Sequence, residues 1–349
     1  MYKPQEISNV TSIGVIMFGL LGDVFIRTPI LRALRELYSG AKIVAIVDPI
    51  GALALENNEF CDEIIVINRN KKDKIRYQVN KIKSFFTIRS KKLNLVVDMY
   101  NGGSSYFLTY ASGAKYKLGH YNSSKKNIYN IDYSHVEKIK GVTTYYNDSM
   151  SVINILSSHN FSTKPVFNVT VETNERILKY LLSLNHDCNK MYLLNFGSGG
   201  EEKLLDSQKY AELATYIYTK YKYIPLIVCN PGQEYLQEIF IDKYLLNSEI
   251  PYVKLERMTL QEIGAVLQNT AFIITPDTGI MHLAMALDTM IYAIFTYTNP
   301  ILVDPENNNF IAVYEEFKKD ELCKLQNITY AKLVSMIEVL FVKIQGDKA

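Results

Sequence analysis

Short apolar runs alternate with segments of helical periodicity along the first half of the chain. Apolar residues recur at helical spacing over Thr28–Tyr38, where Pro29 suits the first turn of a helix. Strands without a polar face are buried on both sides, so these runs predict a parallel sheet covered by helices. The predicted strands of this half are 13–18, 42–47, 63–67 and 93–97.

The same alternation restarts after residue 173, behind the polar stretch Ser157–Asn174, which we interpret as a linker. The chain is therefore predicted to be an α/β protein with two doubly wound, Rossmann-like domains, 1–172 and 173–349, facing a central cleft. Ligands of such sheets bind at the carboxyl ends of the strands. The second half has predicted strands at 191–196, 224–229, 271–275 and 291–295, and predicted helices at 174–184, 207–221, 234–246, 260–269, 279–287 and 329–344.

The composition is that of a globular protein with a sizeable core. Of the 349 residues 48% are apolar and 21% charged, and the net charge is only +2, so no nucleic-acid partner is predicted. No run of about 18 apolar residues predicts a membrane span, and the first residues lack the order of a signal peptide. The cysteines have no metal-ligand spacing and predict buried, reduced thiols in a cytoplasmic protein. They are Cys61, Cys188, Cys229 and Cys323.

The segment Pro276–His282 follows a predicted strand and opens a predicted helix. Backbone N–H groups at a helix start attract anions, and Gly279 allows a phosphate to approach the backbone. His282 lies one turn further on, and Asp277 could accept hydrogen bonds from sugar hydroxyls. In the alternative interpretation Asp277 or Thr278 only caps the helix and His282 is a core residue.

A second strand-to-helix turn, Phe18–Asp23, contains Gly19 and Gly22, which permit a tight turn and close backbone approach. Asp23 could act there as a general base, although a helix-capping role is the alternative. The turn is not a G-x-G-x-x-G, and the chain has no P-loop motif, so neither a dinucleotide nor a P-loop nucleotide site is supported.

The third candidate loop, 195–203, follows a strand of the second domain. Ser198 and the neighbouring glycines offer hydroxyl and backbone donors, and Lys203 offers a mobile positive charge for a diphosphate. A lone lysine in a loop is otherwise simply solvated. The segment 230–234 follows the next strand and could supply Glu234 to a ribose diol.

These loops, in this order, resemble glycosyltransferase family 9, the ADP-heptose:lipopolysaccharide heptosyltransferases. The resemblance extends over most of the chain and is strongest at Gly22-Asp23 with Thr28-Pro29 downstream, and at Asp277-Thr-Gly-x-x-His282-x-Ala284-x-Ala286. It implies a GT-B fold and inverting, metal-independent sugar transfer from a nucleotide-activated donor, without a cofactor.

The resemblance also implies a role for each matching residue. Asp23 would be the base on the acceptor hydroxyl, and the final helix would return to the first domain. The donor-binding residues would be Ser198 and Lys203 at the diphosphate, Asp277, Thr278, Gly279 and His282 at phosphate and sugar, Glu234 at the ribose and the backbone near Met258 at the adenine.

Several loops depart from the family pattern. The lysine loop lacks the usual Trp after Lys203 and has Ser198-Gly199 where a Thr or Ser pair is common. The usual Asp-x-Gln-Gly is Asp98-Met-Tyr-Asn-Gly102, and the usual Gly-Pro-Thr-x-Pro is Thr296-Tyr-Thr-Asn-Pro300. These changes leave open another nucleotide-sugar donor, for capsule or protein glycosylation, or a non-catalytic sugar-nucleotide binder.

The segment 69–92 contains ten Lys or Arg and one acid, Asp73, a local net charge of 10 − 1 = +9. Within it Ile75, Val79, Ile82 and Phe86 recur at helical spacing. This pattern predicts a basic amphipathic helix that contacts an inner-membrane surface or an anionic, lipid-linked glycan acceptor. The alternative is an ordinary solvated helix whose apolar side packs on the sheet.

Overall fold

The computed structural model describes residues 7–120, 128–132, 144–197, 203, 205–303, 309–315 and 328–346. The chain divides into two compact units, Met1–Asn168 and Val169–Ala349. Their boundary falls inside the predicted linker Ser157–Asn174, a few residues before the predicted limit at residue 172.

The first unit is a parallel sheet in the strand order β3-β2-β1-β4-β5-β6, with a helix between each pair of successive strands from β1 to β5. All four predicted strands are present. Its elements are β1 (Ser12–Ile16), α1 (Leu21–Leu37), β2 (Lys42–Val47), α2 (Pro49–Leu53), β3 (Glu63–Val66), α3 (Lys74–Ser90), β4 (Leu95–Asp98), α4 (Gly103–Ser112), β5 (Tyr116–Gly119), β6 (Ile131–Asp132) and α5 (Tyr145–Met150).

The second unit has the same topology, with the order β12-β11-β10-β7-β8-β9, again all parallel. Its elements are α6 (Val171–Ser183), β7 (Met191–Asn195), α7 (Ser207–Tyr221), β8 (Ile224–Val228), α8 (Glu234–Phe240), β9 (Val253–Lys254), α9 (Leu260–Gln268), β10 (Ile273–Pro276), α10 (Gly279–Ala286), β11 (Ile291–Ile294), β12 (Phe310–Val313) and α11 (Tyr330–Gly346).

In each sheet the strand order reverses between two central strands, β1 and β4 in the first unit and β7 and β10 in the second. The loops that follow these two strands run to opposite sides of the sheet and leave a crevice at its carboxyl edge. The turn Phe18–Asp23 follows β1, the loop 195–203 follows β7 and the segment Pro276–His282 follows β10. The topology therefore places all three motifs at a switch point, the place where the strand order reverses.

Helix α1 begins at Leu21, a full turn and more before the predicted start at Thr28, so Pro29 lies inside the helix. Pro29 has no N–H to donate to the carbonyl oxygen of Phe25. The hydroxyl of Thr28 donates to that oxygen at 2.8 Å and replaces the missing bond. The longer helix places Gly22 and Asp23 in its first turn rather than in the preceding loop.

The family resemblance implies that the final helix returns to the first domain; the buried apolar face of α11 packs in the second unit. Its buried side chains belong to a core cluster built from second-unit residues. Phe341 stacks on Tyr221 with ring centroids 3.6 Å apart and meets Tyr223 and Phe272 edge-on. The side chains that α11 contributes to this core are Leu333, Ile337, Leu340, Phe341 and Ile344.

We expect Phe341→Ala to lower the free energy of unfolding of the second unit by about 3–5 kcal/mol, because it empties a stacked aromatic site. Phe341 is 2% exposed. The matched control is Val342→Ala on the same helix, where the side chain is 70% exposed and the cost should stay within about 0.5 kcal/mol. Urea titrations measure both. Equal effects of the two variants would show that α11 is not docked through Phe341.

Among the described residues no helix is both long and apolar enough to cross a bilayer. The thiols of Cys61, Cys188 and Cys229 are free, as predicted, but half-buried rather than fully buried. Burial still raises the pKa of Cys61 to about 11, which leaves that thiol protonated and unreactive at neutral pH. Cys323 lies outside the described residues.

Candidate active site

The β7–β10 switch point brings together polar side chains from both central strands. Asn195, the last residue of β7, donates from its amide to Thr275 Oγ1 at 3.0 Å and to Thr278 Oγ1 at 3.4 Å. Thr278 is the N-cap of α10, and Gly279 is the first residue of that helix. The first-turn N–H groups of a helix have no intrahelical acceptors, so the α10 start offers donors and a positive dipole end.

Lys203 and Asp277 form an ion pair directly beside this helix start. The ammonium of Lys203 lies 2.7 Å from Asp277 Oδ2 and 3.3 Å from the Asp277 carbonyl oxygen. Thr298 Oγ1 donates to the same carboxylate oxygen at 2.6 Å, and His282 Nε2 lies 4.0 Å from Asp277 Oδ1. Three polar side chains, those of Lys203, Thr298 and His282, therefore surround the Asp277 carboxylate.

Two opposing effects set the charge of Asp277. Burial favours the neutral acid, but the charges of Lys203 and His282 and the hydrogen bonds from Lys203 and Thr298 outweigh it. Together they hold the pKa of Asp277 below its ordinary value of 3.8. The carboxylate is ionised at neutral pH and fixes the position of the Lys203 ammonium.

We expect this pair to make the second unit acid-sensitive. Because the folded-state pKa of Asp277 is lowered, its stabilising contribution is complete above the unfolded value, near pH 4, and is lost as the pH falls through the folded value. The stability of the wild type relative to Asp277→Asn should therefore decline as the pH drops below about 4. Thermal unfolding at a series of pH values measures this difference. In a Lys203→Met background the decline should be smaller, and an unchanged decline would contradict the assignment.

Thr298 was not selected from the sequence, although a signal for it exists. The loop Thr296-Tyr-Thr-Asn-Pro300 differs from the family pattern Gly-Pro-Thr-x-Pro only at its first two positions. Thr298 therefore matches the threonine of that pattern. In the structure its hydroxyl is the one that bonds Asp277. The two positions that differ from the family pattern, Thr296 and Tyr297, therefore do not include Thr298, which contacts Asp277.

Two further predicted donor residues, Glu234 and Met258, lie along the same edge of the sheet. Glu234 is the first residue of α8, after β8, and its own N–H and that of Gly232 hold the pKa of its carboxyl below the ordinary range. Met258 is half-buried in the loop between β9 and α9. The order β10-β7-β8-β9 places them one and two strands from the switch point. Ser198 lies outside the described residues.

The β7 and β8 loops touch at Gly197. A Cβ at this position would lie 2.7 Å from the side-chain oxygen of Gln233 and 2.8 Å from the backbone nitrogen of Asn230. Only a residue without a side chain lets these loops approach so closely. This contact brings the loop that carries Glu234 against the loop that leads to Lys203.

In the first unit, Asp23 is exposed on the first turn of α1, after β1. Its Oδ2 accepts a hydrogen bond from the Leu20 N–H at 2.8 Å, so the capping alternative is realised in the structure. Gly19 has a φ of +147°, and a Cβ there would lie 2.6 Å from Asp23 Cβ and Oδ2. The turn thus needs Gly19 for its conformation and for the space that Asp23 occupies.

Asp48 and Arg69, which follow β2 and β3, support this turn and were not selected from the sequence. Arg69 binds Asp48 through two hydrogen bonds, Nε to Oδ1 at 2.7 Å and Nη2 to Oδ2 at 2.6 Å. Asp48 Oδ2 also accepts the Gly19 N–H at 3.0 Å. The guanidinium carbon lies 4.1 Å from the ring centroid of Phe18 and 4.6 Å from that of Tyr100. Only the tertiary fold brings these residues together.

We expect Asp48→Asn to loosen the turn and slow catalysis by up to about 10²-fold, because small displacements of a reacting group are costly. The donor KM should not change. Asp62→Asn is the matched control, since Asp62 also binds an arginine and a backbone N–H, those of Arg35 and Ile43, both at 2.6 Å. Steady-state kinetics distinguish the two. A rate loss in both variants, in proportion to lost stability, would show a structural role only.

Asp98 ends β4 and organises the loop that departs from the family pattern. It is fully buried and accepts hydrogen bonds from the N–H groups of Tyr100 and Asn101, at 3.0 and 2.9 Å, and from the Tyr129 hydroxyl at 2.5 Å. Burial outweighs these bonds and raises the pKa of its carboxyl. Asp98 therefore fixes the conformation of the loop after β4 by binding its backbone N–H groups.

Solved structures of known proteins share this architecture and identify the fold class of the chain. Escherichia coli ADP-heptose LPS heptosyltransferase II superposes with a TM-score of 0.76, at 16% identity, over 97% of this chain and 100% of that one. This likeness confirms the predicted α/β fold of two Rossmann-like units. The fold is that of the GT-B class.

The sequence comparisons give the family. The model of glycosyltransferase family 9 (heptosyltransferase) matches residues 82–330, well over half of the chain. The protein belongs to this family. Lipopolysaccharide heptosyltransferase 3 of E. coli K12 is 23% identical over 298 residues, 83% of this chain and 84% of that protein. Lipopolysaccharide core heptosyltransferase OpsX of Haemophilus influenzae is 30% identical over 70 residues, which cover only 20% of either chain.

Proposed function

We propose that the protein transfers heptose from ADP-heptose to a lipopolysaccharide core or a similar anionic glycan, with inversion and without a metal ion. The observation that carries the proposal is the Lys203–Asp277–Thr298 cluster at the start of α10, at the switch point of the second unit. The family match and the names of the relatives support heptose as the transferred sugar.

The donor diphosphate is assigned to this cluster. Breaking the anomeric C–O bond leaves negative charge on the departing diphosphate, and preorganised donors stabilise such charge. Lys203 has three N–H donors. Two of them face Asp277, and the third is assigned to a phosphate oxygen. The backbone of Thr278 and Gly279, with the α10 dipole, supplies further stabilisation, and His282 lies on the next turn.

The adenosine half of the donor is assigned to the neighbouring loops. The carboxylate of Glu234 is exposed and ionised and suits a ribose diol, which donates two hydrogen bonds. The backbone around Met258, whose side chain is half-buried, is assigned to the adenine. Ser198 keeps its predicted role at the diphosphate.

The acceptor chemistry is assigned to Asp23. A hydroxyl nucleophile must lose its proton as it attacks, and a carboxylate within hydrogen-bond reach provides the base. One oxygen of Asp23 is held by the Leu20 N–H, which fixes the orientation of the exposed carboxylate. Gly19, Asp48 and Arg69 are positioning residues for this group.

The acceptor is proposed to be anionic and lipid-linked, and the protein to work in the cytoplasm at the inner face of the membrane. The basic segment 69–92 supports this, since its net charge of +9 contrasts with +2 for the whole chain. Cationic segments concentrate anionic glycans and anionic lipid surfaces alike.

The test is acceptor-dependent ADP release from ADP-heptose, with and without EDTA. We expect release only when a lipopolysaccharide core acceptor is present, and no loss in EDTA. Calorimetric titration with ADP, UDP and GDP identifies the nucleotide. A clear preference for UDP or GDP would replace ADP-heptose as the donor, and nucleotide binding without any turnover would reduce the protein to a sugar-nucleotide binder.

A further inference from the structure

Helix α3 has two different apolar faces, and only one is used by the fold. The inner face packs on α4, with Ile88 fully buried and Phe85 against Phe107 at 6.1 Å between ring centroids. The Lys81 ammonium lies 4.7 Å from the centroid of the same Phe107 ring. These contacts hold the helix on the first unit without help from its other side.

The outer face carries four apolar side chains that we call the α3 stripe: Ile75, Val79, Ile82 and Phe86. Their exposed fractions are 80%, 43%, 59% and 66%. At about 100° per residue the four positions fall within an arc of about 60°, opposite Ile88. The alternative that this periodic stripe packs on the sheet is therefore wrong. A contiguous apolar surface of this kind marks an interaction site.

The charges around the α3 stripe specify what covers it. On the helical wheel Lys74 lies on one side of the stripe, and Arg76 and Lys83 lie on the other; all three are exposed. From Lys74 to Ser90 the helix has five basic residues and no acidic one, a net charge of 5 − 0 = +5. Lys71 and Lys72, also exposed, extend the charge to the preceding loop.

This combination distinguishes a bilayer from a protein partner. Protein–protein interfaces are depleted in lysine, whereas helices that lie on membranes carry lysine and arginine beside an apolar face. Long basic side chains can extend past buried apolar groups to reach phosphate headgroups. The short stripe, about three turns long, suits insertion parallel to the surface and not across it.

We propose that α3 docks the enzyme on an anionic lipid bilayer by inserting the α3 stripe among the acyl chains, with Lys74, Arg76 and Lys83 on the headgroups. The inference deepens the proposed function, because a lipid-linked acceptor is embedded in such a surface. The docking itself does not depend on catalysis. Insertion of the α3 stripe differs from adsorption by charge alone, because salt screens the attraction between charges but not the burial of apolar side chains.

The chain has no tryptophan, so a single introduced one reports its own environment. We expect full-length Phe86→Trp to show a blue-shifted emission with phosphatidylcholine vesicles that contain phosphatidylglycerol, and quenching when the lipids are brominated. The matched control is Val342→Trp on α11, at a site that is 70% exposed and outside the stripe. No shift at residue 86, or an equal shift at residue 342, overturns the proposal.

Vesicle co-sedimentation separates insertion from adsorption. We expect Ile82→Asp/Phe86→Asp to weaken binding to anionic vesicles by about tenfold or more, while Val342→Asp has no such effect. Both replaced stripe residues are exposed, so the fold should be retained, and circular dichroism checks this. Equal binding of the wild type and the stripe variant overturns the proposal. A blue shift that follows protein concentration without lipid would show that a second copy of the chain covers the stripe, which also overturns it.

The two proposals fail separately. Transfer to a water-soluble core oligosaccharide should be the same for the wild type and the stripe variant, whereas transfer to an acceptor in vesicles should fall in the variant. Wild-type protein that binds vesicles but transfers to no acceptor would count against the proposed function and leave the docking intact.

Discussion

Replacing Asp23 with asparagine should lower kcat by about 10²–10⁴-fold and leave donor binding unchanged, because the substitution removes the proposed base and little else. The amide oxygen of asparagine can still accept the Leu20 N–H bond that Asp23 Oδ2 accepts at 2.8 Å, so the start of α1 is preserved. Rates of acceptor-dependent ADP release and calorimetric titration with ADP give the two quantities.

The control for this variant is Asp187→Asn, which changes another exposed aspartate that caps a helical turn, through the Asn189 N–H. Its rate should match that of the wild type. If Asp23→Asn transfers as fast as the wild type, Asp23 is only a capping residue. A loss of ADP affinity in Asp23→Asn would show a disturbed fold and not a missing base.

The second large effect is expected from Lys203→Met, which should lower kcat/KM by about 10²–10³-fold and weaken ADP binding. The side chain of Lys203 is 29% exposed, so its charge acts partly shielded from water beside the α10 start. Methionine keeps most of the side-chain volume and removes only the charge. Steady-state kinetics and ADP titration measure the loss.

The ion pair complicates this variant, because Lys203→Met leaves the Asp277 carboxylate without its closest cation. The double variant Lys203→Met/Asp277→Asn removes that charge as well and should restore stability but not activity. Lys179→Met, at an exposed position of α6, is the control and should behave as the wild type. Activity regained in the double variant would show that Lys203 serves only to neutralise Asp277.

Much of the fold follows from local pattern. The central strands β1, β2, β4, β7, β8, β10 and β11 are buried and apolar, and each was predicted. The strands that escaped prediction lie at or next to an edge of a sheet, and two of them, β5 and β9, are partly exposed, which weakens the apolar signal. They are β5, β6, β9 and β12. The predicted start of α1 was wrong because Pro29 is typical of the first turn of a helix. In the structure Pro29 lies inside the helix, where the Thr28 hydroxyl donates the hydrogen bond that Pro29 cannot donate.

The candidate functional residues likewise divide into those that follow from local sequence pattern and those that do not. The turn around Asp23 and the segment Asp277–His282 were found because strand, glycine and helix succeed one another in the sequence. Thr298 and the Asp48–Arg69 pair were missed, since each contacts its turn from other strands of the same sheet. Arg69 is 21 residues from Asp48, and Thr298 is 21 from Asp277. No local rule connects such distant positions, because closure of the parallel sheet is what brings them together.

The sequence by itself determined the two α/β units, the strand-to-helix turn at the start of α10 and the basic amphipathic character of α3, because periodicity and turn residues are local properties of the chain. Only the tertiary structure decided which partners hold Asp23 and Asp277, which unit receives α11, and which apolar face of α3 remains uncovered. These depend on the register and order of strands far apart in sequence, and on which surfaces the packed core leaves exposed.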